Sequence, residues 1–306
     1  MRARPWTAAP YALEHAVALA SMLDADPEAL HAELSSMPGE DGLTRDGTGA
    51  AIGGGTHHVV AVDGDDVGAR AAVWRLPDAP AGWFASDFRV RPPETGALDA
   101  VVRAQRAWLG AVGATTLRTA VDDGDRALLE GLVEAGFSVE AHVVLGRREL
   151  GPENPLSHAL RIAPAEDAPE VRAGLHALWG RTLVDNPGHI DPLPSLDSWS
   201  AEVFDDPGFR PEWLLEARDG DRLVGATWAT AAGDGHAYIE YTCVERDARR
   251  RGVARALKAE LAARLRAGGV RTVETEWAVE NGPIARINRD EGFVVVGGHR
   301  RLALSI

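Results

Sequence analysis

Short β-branched and aromatic blocks, separated by turn residues and by stretches of helical spacing, set the pattern of this chain. Val59–Val62 and Val67–Trp74 flank Asp63-Gly64-Asp65, and Trp213–Ala217 and Leu223–Thr230 flank Asp219-Gly220-Asp221. Each pair predicts a β-hairpin, because the polar Gly-containing turn interrupts two runs that suit pleated, half-buried surfaces. Ala237–Val244 predicts a further strand, and after it Val253, Leu257, Leu261 and Leu265 recur at four-residue spacing, which predicts an amphipathic helix. Gly268-Gly269 ends that helix, and Val270–Trp277 predicts the next strand. Another strand is expected at Leu160–Ala163. Near the N-terminus, Leu13, Val17, Ala20 and Leu23 follow helical spacing, a second helix is expected over Pro27–Leu34, and Thr44–Thr56 with its Gly53-Gly54-Gly55 predicts a mobile loop.

The pattern repeats. Gly136-Phe137 and Gly292-Phe293 lie 156 residues apart, and the two Asp-Gly-Asp turns, at Asp63 and Asp219, share that offset. With 306 residues the chain is long enough for two domains, each able to bury a core. Gly151-Pro152-Glu153-Asn154-Pro155 breaks regular structure between the halves, so domains are expected at 1–150 and 160–306, with 151–159 as linker.

Arg249-Arg250-Arg251-Gly252-Val253-Ala254 joins the predicted strand to the amphipathic helix. Gly252 lets backbone approach a ligand closely, and the free N–H groups of a helix start favour an anion. The arginines add charge-assisted contacts. By itself this hexapeptide is equally a solvated, helix-starting charge run. With the strand before it, and Asn281 and the run Ala285–Phe293 (with Asn288 and Gly292-Phe293) after the next strand, the order resembles the pyrophosphate signature of the GNAT superfamily of N-acetyltransferases. It is similar to the tandem two-domain, mycothiol-synthase-like branch.

That resemblance implies an α/β (α+β) fold, with a mixed, mostly antiparallel sheet flanked by helices in each half. It implies acetyl-CoA as co-substrate, held by Arg249, Arg250, Arg251, Gly252, Val253, Ala254, Asn281 and Asn288. Backbone N–H groups near Thr242, Cys243 and Val244 would receive the thioester oxygen. A neutral amine would then attack the thioester directly in a ternary complex, and its proton needs an acceptor. Glu240 is the candidate base, four residues before Val244 and so on the same strand face; it is equally placed to face an arginine or solvent. Asn288 stands where many family members carry a tyrosine acid, so Tyr241, Tyr238 or water is left to protonate the thiolate. Trp277 is a second departure, at a strand end that is often polar. Substrate specificity is expected from Trp179–Trp199, where Asp185 and Asp191 either pair with an ammonium or cap turns. At the 156-residue offset the loop becomes Pro93-Glu94-Thr95-Gly96, which would receive a pyrophosphate poorly, so the N-terminal half is expected to be a degenerate copy without a cofactor motif.

Composition narrows the partners. A formal net charge of −14 argues against nucleic acid and anionic membranes. The single cysteine, Cys243, allows no intramolecular disulfide or thiolate metal cluster, and is read as buried and inert rather than as a nucleophile. The adjacent His57 and His58 would point to opposite faces of a strand and are read as structural. No metal is expected. No run of about 20 apolar residues and no signal-like start is found, so a cytoplasmic, soluble chain is expected. Hydrolase, metalloprotease and nucleotide-binding motifs are absent from the sequence. The expected partner is a small-molecule amine, with monomer and homodimer both open. An idle acyl-CoA-binding or regulatory protein, and a protein or peptide acetyltransferase, stand as alternatives.

Overall fold

A computed structural model describes residues 6–10, 15–23, 26, 43–45, 51–54, 56–76, 79–91, 95–151, 159–187 and 192–306. The chain divides into two units, Met1–Glu140 with His299–Ile306, and Ala141–Gly298.

In the first unit the apolar blocks form β1 (Thr7–Pro10), α1 (Ala16–Leu23), β2 (Leu43–Arg45), β3 (Ala51–Gly54), β4 (Thr56–Asp63), β5 (Asp66–Arg75) and β6 (Trp83–Val90). They continue with α2 (Thr95–Ala111), β7 (Thr116–Asp122), α3 (Arg126–Glu134) and the start of β8 (Ser138–Glu149). Its sheet runs β1-β4-β5-β6-β7 and is completed by His299–Ser305 of β14 (Val294–Ser305), which pairs antiparallel with β7. Phe84, Phe88, Val101, Leu109, Leu117, Leu132, Phe137 and Leu302 fill its core. His57 stacks on Trp108 with ring centroids 4.4 Å apart. Burial lowers the pKa of both His57 and His58, in keeping with their structural reading. The stretch expected to be a mobile loop instead contains β2 and β3, paired antiparallel with Thr44 opposite Ile52. There the backbones of β2 and β3 pair although Gly53 and Gly54 favour turns. The helix expected over Pro27–Leu34 lies outside the described residues.

The second unit contains β9 (Arg161–Pro164), α4 (Pro169–Leu183), α5 (Leu196–Phe204), β10 (Phe209–Asp219), β11 (Arg222–Ala231) and β12 (His236–Val244). A 3-10 turn over Arg246–Ala248 leads to α6 (Val253–Ala267), β13 (Thr272–Ala278) and α7 (Gly282–Asp290). The strand order is β8-β13-β12-β11-β10-β9, parallel between β12 and β13 and antiparallel elsewhere. Its two faces carry separate apolar layers. Leu215, Val224, Ile239, Val244 and Phe293 join Leu257, Leu261 and Leu265 of α6 in one, whereas Leu214, Ala226, Trp228 and Cys243 join Leu175 and Leu178 of α4 and Trp199 of α5 in the other. Neighbours such as Leu214 and Leu215 enter opposite layers because strand side chains alternate. Each fully buried leucine contributes roughly 1.5–3 kcal/mol. Gly225 brings α6 close, since a Cβ there would lie 3.1 Å from Leu257 Cδ1 and from the Cys243 carbonyl oxygen.

The offset read from the sequence reappears in the elements. Moved by 156 residues, β5, β7, α3 and β8 take the bounds of β11, β13, α7 and β14. The division of the chain differs from the expected 1–150 and 160–306. Val143–Glu149 pair with β13 in the second unit, while His299–Ser305 pair with β7 in the first. Local composition marks where regular structure stops, and strand pairing between distant residues leaves no such mark. Of the expected linker, residues 152–158 lie outside those described. Among the described residues no helix is long and apolar enough to cross a membrane.

Candidate active site

β12 and β13 share a ladder only from His236–Thr272 to Ile239–Thr275. Past that point β12 stays bonded to β11 as far as Val244, and β13 stays bonded to β8 as far as Ala278. The two strands therefore diverge, leaving an opening between their C-terminal halves. The Glu245 N–H donates to the Val224 carbonyl across the β11 ladder at 2.9 Å. By strand alternation, Cys243 also turns its N–H toward β11, and Thr242 and Val244 turn theirs toward the opening. The expected acyl-oxygen donors thus separate by position, with Thr242 and Val244 facing the cleft and Cys243 facing away.

Between β11 and β12 the register slips at Glu240, for Trp228 faces Tyr241 and the next residue, Ala229, faces Ile239. This β-bulge turns Glu240 away from the side that Val244 occupies. Val244 packs beneath α6, whereas Thr230, two residues along β11 from Trp228 in the α4/α5 layer, donates its hydroxyl to Glu240 Oε1 at 2.5 Å. The expectation that Glu240 and Val244 share a face fails because the bulge inserts a residue into the alternation. Glu240 is open to solvent along its side chain. Its pKa is raised, first by partial burial of the carboxyl and then by Asp206, Glu202 and Glu276, while the Thr230 hydrogen bond pulls it back. Tyr238 and Tyr241 are both pushed up by burial and remain protonated. The Tyr241 ring packs against Trp228 and Trp179, with centroids 5.6 and 6.1 Å away.

The loop after β12 turns sharply into α6. Arg250, at φ 61°, takes the left-handed conformation usually left to glycine, and Gly252, at φ 83°, is the N-cap of α6. No side chain caps that end, so the N–H groups of the first turn are presented outward beside the cleft, with the positive end of the helix dipole. This is an anion-receiving arrangement made of backbone. The arginines are arranged around it: Arg249 Nε donates to the Val244 carbonyl at 2.9 Å, Arg249 Nη2 to Asp185 at 2.7 Å, and Arg251 Nη1 to Asp219 at 3.1 Å.

Residues 176–286, from α4 to α7, match the Acetyltransferase (GNAT) family. No curated protein matches the sequence. A GCN5-related N-acetyltransferase from Sphaerobacter thermophilus is similar over 98% of this chain and 95% of its own, at 18% identity and a TM-score of 0.68. A tandem GNAT protein from the clavulanic acid biosynthesis pathway is similar over 98% of both chains, at 18% identity and a TM-score of 0.61. The fold is that of the GNAT acetyltransferases. A glucosamine N-acetyltransferase region within a fungal multi-domain β-N-acetylglucosaminidase is also similar, over 99% of this chain and 38% of that one, at 12% identity and a TM-score of 0.66. The family match over residues 176–286, together with the fold, supports an acyltransferase.

Within this GNAT fold the sequence-predicted residues part into groups. Arg249, Arg250, Arg251, Gly252, Val253 and Ala254 line the loop and the first turn of α6, with Val253 buried in the core beneath it. Asn281 is the N-cap of α7, its Oδ1 accepting from the Ile284 N–H at 3.4 Å and its Nδ2 donating to Asn186 Oδ1 at 3.0 Å. Asn288 is 1% exposed, and neither of its amide atoms has a partner. Asp185 lies at the loop, where Arg246 and Arg249 both donate to its carboxylate, which they hold below the usual carboxylate range. Asp191 lies outside the described residues. Cys243 is 4% exposed, and burial pushes its thiol up to about 12. Trp277 is accommodated by Gly146, where an added Cβ would lie 2.3 Å from the indole ring. Sequence reasoning missed Thr230 and Asn186. The Asn281-Gly282-Pro283 start of α7 carries a readable capping signal, an asparagine followed by a proline in the first turn. Among the described residues no group of three or more His, Cys, Asp or Glu side chains is placed to hold a metal ion.

Proposed function

We propose that the second unit transfers the acetyl group of acetyl-CoA to a primary amine of a small molecule. One observation carries this reading: the β12/β13 ladder stops at Ile239–Thr275, and the chain beyond the end of β12 turns into the uncapped N-terminus of α6. That end would take the donor's pyrophosphate, and the opening would take its extended arm. The amides of Thr242 and Val244 would meet the thioester oxygen as it gains charge. Glu240, on the α4/α5 side, would accept the amine proton directly or through water, and its raised pKa makes it a better base than an ordinary carboxylate. Glu202, Asp206 and Glu276 around it suit a positively charged acceptor. In the first unit β6 and β7 share only Trp83–Thr116 to Ala85–Arg118, so an opening is kept, while the loop read as Pro93-Glu94-Thr95-Gly96 lacks the arginines. This supports a degenerate tandem partner, and a cytoplasmic setting fits the same reading.

The test is calorimetric titration with acetyl-CoA followed by turnover against an amine library. One donor site together with turnover of a small amine supports the proposal. Donor binding without turnover of any amine or peptide would leave an idle acyl-CoA-binding protein, a reading that the unpartnered Asn288 in place of an acid favours. No donor binding sinks the proposal.

A further inference from the structure

The residues that follow α4 reach both sides of the β12/β13 opening. Asp185 takes Arg246 Nε at 2.7 Å and Arg249 Nη2 at 2.7 Å, and Arg249 in turn holds the Val244 carbonyl at the end of β12. The next residue, Asn186, accepts from Asn281 Nδ2 at 3.0 Å, just beyond the end of β13. Two successive side chains thus tie one lip of the cleft to the other. Past Ile239 and Thr275 no ladder bond joins β12 to β13, so nothing within the sheet fixes the distance between the lips.

We infer that Asp185 and Asn186 form a clasp that positions the two lips of the donor cleft. Both are positioning residues, Asp185 acting through Arg249 and Asn186 through Asn281. Neighbouring Cα atoms lie 3.8 Å apart, so a clasp built on one peptide leaves the lips little freedom. Its contacts are poor stabilisers of the fold, because the Arg246 side chain is 69% exposed and exposed ion pairs contribute about 0–1 kcal/mol. They are suited to setting a geometry. By engaging Arg246 and Arg249, Asp185 also leaves the backbone amides of the α6 end as the surface that meets the anion. The inference rests on the proposed acetyl-CoA reading.

The experiment compares the full chain with Asp185→Asn, Asn186→Ala and the double variant, measuring acetyl-CoA affinity by calorimetry, CoA release by stopped flow, and the melting temperature. Each single variant is expected to weaken acetyl-CoA binding about tenfold and to speed CoA release, with melting temperature held. The double variant should be no weaker than the weaker single variant, because breaking either end opens the same clasp. Unchanged affinity, single effects that multiply in the double variant, or losses that track a falling melting temperature would each overturn the clasp. A wild-type chain that binds no acetyl-CoA overturns the donor reading itself; wild-type binding with indifferent variants overturns the clasp alone.

Discussion

The Thr230 hydroxyl donates to the Glu240 carboxylate over 2.5 Å, beside the register slip between β11 and β12. That bond favours the charged carboxylate against the burial and neighbouring acids that raise its pKa. Thr230→Val removes the bond and sends the pKa higher, so the acid limb of kcat/KM for amine acetylation should move to higher pH. Glu240→Gln should lower kcat/KM by roughly 10²–10⁴ while acetyl-CoA affinity holds. A pH–rate series on both variants checks this. An acid limb that stays in place in Thr230→Val assigns it to another group.

Arg250 and Gly252 share positive φ on the loop before α6, and only Gly252 does so without steric cost. Arg250→Gly relieves about 1–2 kcal/mol of conformational strain and gives back about 0.5–1 kcal/mol in backbone entropy. A small gain in stability is expected in denaturant titration. Gly252→Asp adds both strain and negative charge at the helix end, and acetyl-CoA affinity should fall more than about tenfold by calorimetry.

Lys258 is 2% exposed on α6, over the Phe293 ring at 5.1 Å, with Glu291 and Arg148 nearby. Burial lowers its pKa to about 8, against the pull of Glu291. The folded pKa lies below the unfolded one, so between about pH 8 and about 10 the unfolded chain binds more protons and stability rises with pH. Lys258→Met should be more stable than wild type at pH 7 and lose that rise. Urea titrations at pH 7 and pH 10 measure both effects.

Cys243 sits in the α4/α5 layer with its thiol pushed up to about 12. Thiolate is the reactive form, so iodoacetamide should leave the folded protein unmodified and label it once unfolded in urea, as mass spectrometry will show. Cys243→Ser should retain acetyl transfer. Loss of transfer together with rapid labelling of the native protein would bring the nucleophile reading back.

Much of this was legible because it is local. Apolar periodicity placed β10, β11, β12, α6 and β13 to within a few residues, and the two Asp-Gly-Asp turns marked hairpins whose Gly64 and Gly220 take φ 63° and 62°. The turn from β12 into α6 was readable because a strand pattern, a glycine and a helical repeat follow one another there, and its resemblance to a pyrophosphate loop came only with the Asn281–Phe293 run that follows. The bulge at Glu240 was not, since one extra residue in a strand changes no composition. Nor was the engagement of Asp185, whose partners lie more than sixty positions along the chain. Asn288 was singled out for what it replaces, whereas its unpartnered amide appears only once helix packing buries it.

Synthesis from the N-terminus gives the exchanged last strands a further meaning. Domains generally fold as units during synthesis, N-terminal first. Here β7 of the first unit waits for residues 299–305, which emerge after the whole second unit, and until then its edge is exposed to unwanted pairing. Release of a chain cut near Gly151 would make that exposure permanent, so the order in which this protein matures is written into which strand closes which sheet.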